Sequence, residues 1–172
     1  SQISIKCSQR YVGFGSGAFY NTAMESIYLC IDRKSFYASV ECVERGLNPF
    51  EVNLVVADPT RHGAITLAAT PAIKKLGVPS RGRIYEIDKN IEYIIAPPRM
   101  SLYMEYAARI YSIFLKYIAP EDIHVYSIDE SFLDVTPYLK LYRMNARNIA
   151  RMILDDIYEN TGITATVGIG TN

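Results

Sequence analysis

The stretch His124-Val125-Tyr126-Ser127-Ile128-Asp129-Glu130-Ser131-Phe132-Leu133-Asp134-Val135 decides how this chain folds. Two carboxylates, Asp129 and Glu130, stand side by side between runs of β-branched and aromatic residues, 123–128 and 132–135. Such runs around a short acidic link predict a β-hairpin. Neighbouring negative charges at a hairpin tip repel each other unless something positive lies close. Divalent cations such as Mg²⁺ take oxygen ligands almost to the exclusion of others, so a metal site is one reading of the pair. Simple solvation of an exposed acidic turn is the other. A third carboxylate from elsewhere in the chain decides between them.

That carboxylate lies upstream. Ile27-Tyr28-Leu29-Cys30-Ile31 is a short apolar run ending at Asp32, and Phe36, Val40 and Val43 follow at helical spacing with Tyr37 between. An acid at the carboxyl end of a buried strand occupies the place where α/β sheets hold their ligands. Asp32, Asp129 and Glu130 together would hold two metal ions about 3.5–4 Å apart, the arrangement of phosphoryl-transfer sites.

Asp32-Arg33-Lys34-Ser35-Phe36-Tyr37-Ala38-Ser39-Val40-Glu41, followed in order by Tyr126-Ser127-Ile128-Asp129-Glu130, resembles the Y-family (translesion) DNA polymerases. The closing Thr166-Val167-Gly168-Ile169-Gly170-Thr171-Asn172 resembles the family's strand after the palm helix. The resemblance runs from Ile27 to the last residue and looks most like the bacterial mutagenesis-protein branch, relatives of the polymerase V catalytic subunit. It implies a DNA-directed DNA polymerase of DNA repair and the SOS response, cytoplasmic, working on primer–template DNA and deoxynucleoside triphosphates. A sliding clamp and a recombinase filament are further implied partners, through regions outside this chain. The implied cofactor is a pair of Mg²⁺ ions, with Mn²⁺ as a substitute.

The resemblance also assigns roles. Asp32 and Asp129 would hold both metals, and Glu130 the one that activates the primer hydroxyl. The Arg33 carbonyl is a further ligand in the family. The amides around Ser35, Phe36 and Tyr37 open a helix, whose N-terminus suits a phosphate. Tyr37 matches the steric gate, the ring that excludes a 2′-hydroxyl; its bland alternative is a core tyrosine. Many relatives place Tyr and Arg on the fingers helix to hold the triphosphate, whereas those positions here are Pro71 and Lys74. Lysine keeps a point charge without the bidentate fork of arginine.

Composition bounds the rest. The chain has 172 residues, 49% of them hydrophobic, enough for one full-sized core. With 18 basic and 18 acidic residues, binding nucleic acid by bulk charge is excluded, and any such contact must be local. Cys7, Cys30 and Cys42 lack metal-ligand spacing and read as reduced, buried thiols. No stretch approaches the roughly 20 apolar residues of a membrane span. Residues 1–26, with Gly13, Gly15 and Gly17 alternating, resemble nothing placeable and read as a flexible or expression-derived extension; Met24 is a candidate start.

Along the chain, strands are expected at 27–32, 54–57, 64–68, 163–169 and twice within 84–95. Helices are expected at 34–45, closed by Gly46, at a Thr70-Pro71 start ending near Gly77, at 99–117 and at 145–159. The third helix carries an apolar stripe of Leu102, Tyr106, Ile110, Ile113 and Tyr117; the last turns Ile149, Met152, Ile153 and Ile157 inward. Arg143, Arg147 and Arg151 share one face and read as solvated. Between Thr60 and Arg83 stand Arg61, Lys74, Lys75, Arg81 and Arg83 with no acid, an anion site or a solvated basic face.

This order fits an α+β fold, a ferredoxin-like polymerase palm: an antiparallel-rich sheet with two long helices and a small inserted fingers subdomain. The expected division is an extension at 1–26, palm at 27–44 and 99–172, and fingers at 45–98, with thumb and little finger absent and the fragment alone inactive. Two other functions compete: a nucleotidyl cyclase-like enzyme, whose turn would carry glycines missing here, and a non-catalytic palm module that binds a nucleotide or a partner.

Overall fold

The computed structural model describes residues 5–7 and 25–171. In chain order these form Ile5–Cys7 (β1), Ile27–Asp32 (β2), Phe36–Glu44 (α1), Leu54–Val56 (β3), Ala68–Ala69 (β4), Pro71–Lys74 (α2), Ile94–Ala96 (β5), Met100–Tyr117 (α3), Ile123–Ser127 (β6), Glu130–Asp134 (β7), Thr136–Leu141 (α4), Ala146–Thr161 (α5) and Thr166–Thr171 (β8). They divide into two compact units. The first takes the described residues up to Asp32, Tyr111–Glu159 and those from Thr164 on; the second takes Arg33–Ile110 and Asn160–Ile163.

The first unit is built on a five-stranded sheet in the order β1-β8-β2-β7-β6. β2 lies at its centre, antiparallel to both β7 and β8, and β6 returns antiparallel to β7. The order β8-β2-β7-β6, with helices after the first and third of these strands in sequence, is the ferredoxin-like arrangement. Period-two alternation explains why β2 takes the centre. Leu29 and Ile31 are fully buried, while Tyr28, Cys30 and Asp32 face the other way and are half-exposed. β7 matches it, with Ser131 and Leu133 buried and Glu130, Phe132 and Asp134 on the more open face. In α5, Ile149, Ile153 and Ile157 have no exposure, as their spacing requires. Asp156 of α5 accepts hydrogen bonds from the Tyr117 hydroxyl at 2.6 Å and from Lys116 at 3.2 Å, which ties α5 to the last turn of α3. Arg143, Arg147 and Arg151 are all exposed, but Arg143 precedes α5 with φ 51°, so the expected shared face holds only Arg147 and Arg151.

The second unit holds a three-stranded sheet, β4-β3-β5, with β3 antiparallel to β4 and parallel to β5. Its core is Val55, Ala69, Ile73, Val78 and Ile87. α1 packs against β3 and β4. Gly46, at φ 68°, closes α1 in the left-handed conformation that glycine adopts without cost.

Several expected elements differ. Residues 64–67 do not extend β4. Thr66 instead pairs its amide with the Gly82 carbonyl at 2.8 Å, and Ile65 forms a lone bridge to Arg83. Of two strands expected in 84–95 only β5 forms; Ile84–Glu86 is a 3₁₀ turn because Glu86 reaches back to the Arg83 amide. The last strand begins at Thr166, since Gly162 (φ 73°) and the Thr161 side chain turn the chain out of α5 first. α4 was not expected at all. The α3 stripe is wider than its spacing suggested, for Tyr103 and Phe114 are fully buried beside Tyr106, Ile110 and Ile113. Cys42 is buried and Cys30 half-buried, both free thiols. The extension expected at 1–26 lies outside the described residues except for β1, which pairs parallel to β8, and for residues 25 and 26. Among the described residues no helix is long and apolar enough to cross a membrane.

Candidate active site

The sheet brings Asp32 and Glu130 together. They are direct partners across the β2–β7 ladder, and residues so placed hold their Cβ atoms about 4.5–5.5 Å apart on one face. Ile128 and Asp129 form the two-residue turn between β6 and β7, with a register shift between Val125 and Ser127 just before it. Within the turn the Ser127 hydroxyl donates to Asp129 Oδ1 at 2.7 Å. On the other side of β2, Thr166 pairs with Asp32 and its hydroxyl lies 3.4 Å from the Asp32 carbonyl.

A thiol lies beside this pair. Cys30 lies two residues before Asp32 on the same face, and its Sγ donates to Glu130 Oε1 at 3.5 Å. Burial, then the hydrogen bond to Glu130, then the negative charges of Glu130 and Asp32 push this thiol up to about 11. Both carboxylates therefore act on one point, and their hard oxygens and excess negative charge suit a divalent cation. The expected trio is only partly assembled. Among the described residues no three His, Cys, Asp or Glu side chains are gathered closely enough to hold a metal ion. Asp32 and Glu130 meet across the sheet, whereas Asp129 is engaged by Ser127, and repulsion among three carboxylates opposes closer approach.

The remaining expected site residues belong to the second unit. Ser35 occupies the N-cap position of α1 in the left-handed conformation, φ 58° and ψ 33°, without a side-chain capping bond. Lys74, in the last turn of α2, places its Nζ 2.7 Å from Ser35 Oγ. The lysine charge thus sits at the N-terminal end of α1, where the helix dipole also favours an anion. Phe36 is buried, with the Arg33 guanidinium 5.9 Å from its ring centroid. Tyr37 is half-buried, and its ring stacks on Tyr103 with centroids 4.5 Å apart and planes 16° from parallel. Of the basic run, Arg61, Lys75, Arg81 and Arg83 are exposed. Arg61 pairs with Asp58 at 3.7 Å and Arg83 bonds the Gly63 carbonyl, whereas Lys74 joins the expected nucleotide residues through Ser35.

Sequence reasoning gave no role to Glu41, Arg99 or Tyr103. Glu41 has no exposure, yet Oε1 accepts from Tyr103 Oη at 2.7 Å and from Arg99 Nε at 3.0 Å, and Oε2 meets Arg45. Burial raises this carboxyl, but the bonds from Arg99, Tyr103 and Arg45 outweigh it and hold the group at about 2. A signal was present: one acid inside the largely apolar helical run 36–43 has to be paired if buried. Its partners lie too far off in sequence to be named without the fold.

The chain matches the impB/mucB/samB family over residues 31–172. It is 38% identical over 146 residues to the UV-damage repair protein UvrX of Bacillus subtilis, covering 84% of this chain and 34% of that one. With DNA polymerase IV 2 of the same organism it shares 37% identity over 152 residues, 86% of this chain and 35% of the relative. The DNA repair protein homolog YozK of Bacillus subtilis is 41% identical over 103 residues, 59% of this chain and 90% of YozK. Among solved structures, an insertion ternary complex of Dbh DNA polymerase superposes with a TM-score of 0.70 at 31% identity, over 84% of this chain and 42% of the other. DinB from Sulfolobus solfataricus does so with a TM-score of 0.69 at 32% identity, with the same coverage. The chain thus spans about a third of the length of UvrX and polymerase IV 2. A family match running from the end of β2 to the last residue, on a sheet that superposes on these polymerases, places the chain in the impB/mucB/samB family of Y-family DNA polymerases.

Proposed function

We propose that this chain carries the nucleotidyl-transfer centre of a translesion DNA polymerase, which adds deoxynucleotides to a primer across damaged template DNA. The observation that carries the reading is the cross-strand pair Asp32 and Glu130, with Asp129 beside it at the hairpin tip, at one end of a ferredoxin-like sheet. Asp32, Asp129, Glu130 and the Arg33 carbonyl would hold two Mg²⁺ ions, for which Mn²⁺ substitutes; when bound, such ions neutralise phosphate charge and make the primer hydroxyl more acidic. The protein's own share is positioning and fixed charge, which dominate phosphoryl-type transfers. Lys74 and the first amides of α1 offer the triphosphate a cation and a helix N-terminus at one place. Pro71 has no group to bind phosphate, so Lys74 carries that contact alone on its helix. Tyr37 lies against the sugar and excludes ribonucleotides. Primer–template DNA is the second substrate under this reading, and a clamp and a recombinase filament are its further partners.

Asp32→Asn and Glu130→Gln in the full-length gene product test it. Each removes one carboxylate charge from the pair without changing its shape. Primer extension is expected to fall about a thousandfold or more, since the lost charge stabilisation is several kcal/mol. Circular dichroism and DNA binding should stay near those of the parent. Undiminished nucleotide addition by Asp32→Asn would overturn the assignment.

A further inference from the structure

We infer that Tyr103, anchored by Glu41, is a positioning residue for the Tyr37 ring and so a determinant of which sugar the site accepts. The inference rests on reading Tyr37 as the sugar gate. It comes from a continuous line of contacts within one compact unit. Tyr37 stacks face to face on Tyr103, 4.5 Å between centroids. Tyr103 has no exposure, and its hydroxyl donates to Glu41 Oε1 at 2.7 Å. Glu41 is itself immobilised by Arg99 Nε at 3.0 Å and by Arg45.

α1 fixes only the Cα of Tyr37; two side-chain torsions still decide where its ring lies. Stacking on a ring that cannot move restricts both, because parallel aromatic faces lose contact when either rotates. The bond from Tyr103 ends on an ionised acceptor, which makes it shorter and stronger than a neutral one. Glu41 keeps that charge at any working pH, since its donors hold it at about 2 despite burial. A gate tells a 2′-hydroxyl from a hydrogen by a clash of about one ångström, and a displacement of that size can change a rate about a hundredfold. A support that holds the ring within that tolerance is therefore part of the selectivity.

The experiment compares kcat/KM for one deoxynucleotide and its ribonucleotide opposite the same template base, using the full-length gene product. Tyr37→Ala reports on the gate, Tyr103→Leu removes the supporting ring, and Tyr103→Phe keeps the ring but frees it from Glu41. Tyr103→Leu is expected to lower the deoxy preference about tenfold or more through a rise in ribonucleotide kcat/KM, with Tyr103→Phe recovering most of it. If both kcat/KM values fall together and their ratio holds, Tyr103 only supports the fold and the inference is overturned. Should Tyr103→Leu fail to fold, Tyr103→Met, closer in length, is judged by the same ratio. If Tyr37→Ala discriminates as well as the parent, the gate reading itself fails; if Tyr37→Ala loses selectivity and the Tyr103 variants do not, only the inference fails.

Discussion

A carboxylate without solvent exposure survives inside a helix only where donors outweigh the loss of water, and Glu41 has three of them. Burial alone would raise its carboxyl, but Arg99, Tyr103 and Arg45 bring it from 4.5 to about 2. The folded value lies below the unfolded one, so the resulting stability is complete above about pH 5 and lost as pH falls through about 2. Its size at neutral pH is on the order of 3 kcal/mol. Glu41→Gln should therefore be less stable than the parent at pH 7 in urea unfolding, with the gap narrowing between pH 5 and pH 2. A gap that is the same at pH 7 and pH 3 would show that the charge contributes nothing. Residues of this kind mark where sequence reading stops. Asp32 and Glu130 were legible because a strand end and a hairpin tip are local features, and the sheet then made them partners. The stack of Tyr37 on Tyr103 joins helices far apart in sequence, and periodicity shows only that both rings lie near a core.

Elements were legible where capping chemistry marks them. Thr70-Pro71 announced α2, and the structure gives the threonine more than a capping role. Thr70 Oγ1 accepts from the Ile73 amide at 3.5 Å and from the Leu54 amide at 3.1 Å, and donates to the Val52 carbonyl at 2.8 Å. One buried hydroxyl thus fixes the start of both β3 and α2, and through α2 the place of Lys74. Thr70→Val keeps the shape and leaves three backbone groups without their partner, at a cost of about 2 kcal/mol or more. The expected result is a lower Tm together with weaker nucleotide binding, while Thr70→Ser keeps most of both; a Thr70→Val protein as stable as the parent would sink the argument. α4 carries no such mark: its N-cap position is Val135, without a side-chain capping bond, and the Thr136 hydroxyl accepts from the Ile27 amide at 2.8 Å instead. The turn at Ile84–Glu86 shows the opposite case, where a β-branched, aromatic stretch is drawn into a 3₁₀ turn by Glu86. A side-chain bond to a neighbouring amide overrode strand propensity there.

Across the whole molecule, the order of the long elements β2, α1, α3, β6, β7, α5 and β8 was legible because their hydrophobic periods are long or repeated, and that order fits a ferredoxin-like sheet, whereas the short elements β1, β4 and α4 were not. The assignment of α1 to the same compact unit as β3, β4 and β5 was not legible, because it depends on which faces pack. Charge belongs to this scale too. Eighteen basic residues balance eighteen acidic ones, so the chain has no general attraction for a polyanion. Duplex DNA is gripped mainly through Lys and Arg contacts to phosphates, each adding to a salt-dependent affinity. A nucleotide triphosphate needs far fewer such contacts, and Lys74 at the N-terminus of α1 offers one together with the helix amides. Residues 1–172 by themselves are therefore expected to fold, to bind a deoxynucleoside triphosphate weakly with Mg²⁺ present, and to lose that binding in Lys74→Ala. They are not expected to extend a primer. A primer end that seldom resides at Asp32 and Glu130 forgoes much of the roughly 7–11 kcal/mol that orientation can contribute to a bimolecular step. Primer extension at micromolar protein and low salt, run beside equilibrium nucleotide binding, measures both halves. Clear multi-nucleotide extension by these residues alone would mean that residues 1–172 hold DNA by contacts other than phosphate charge.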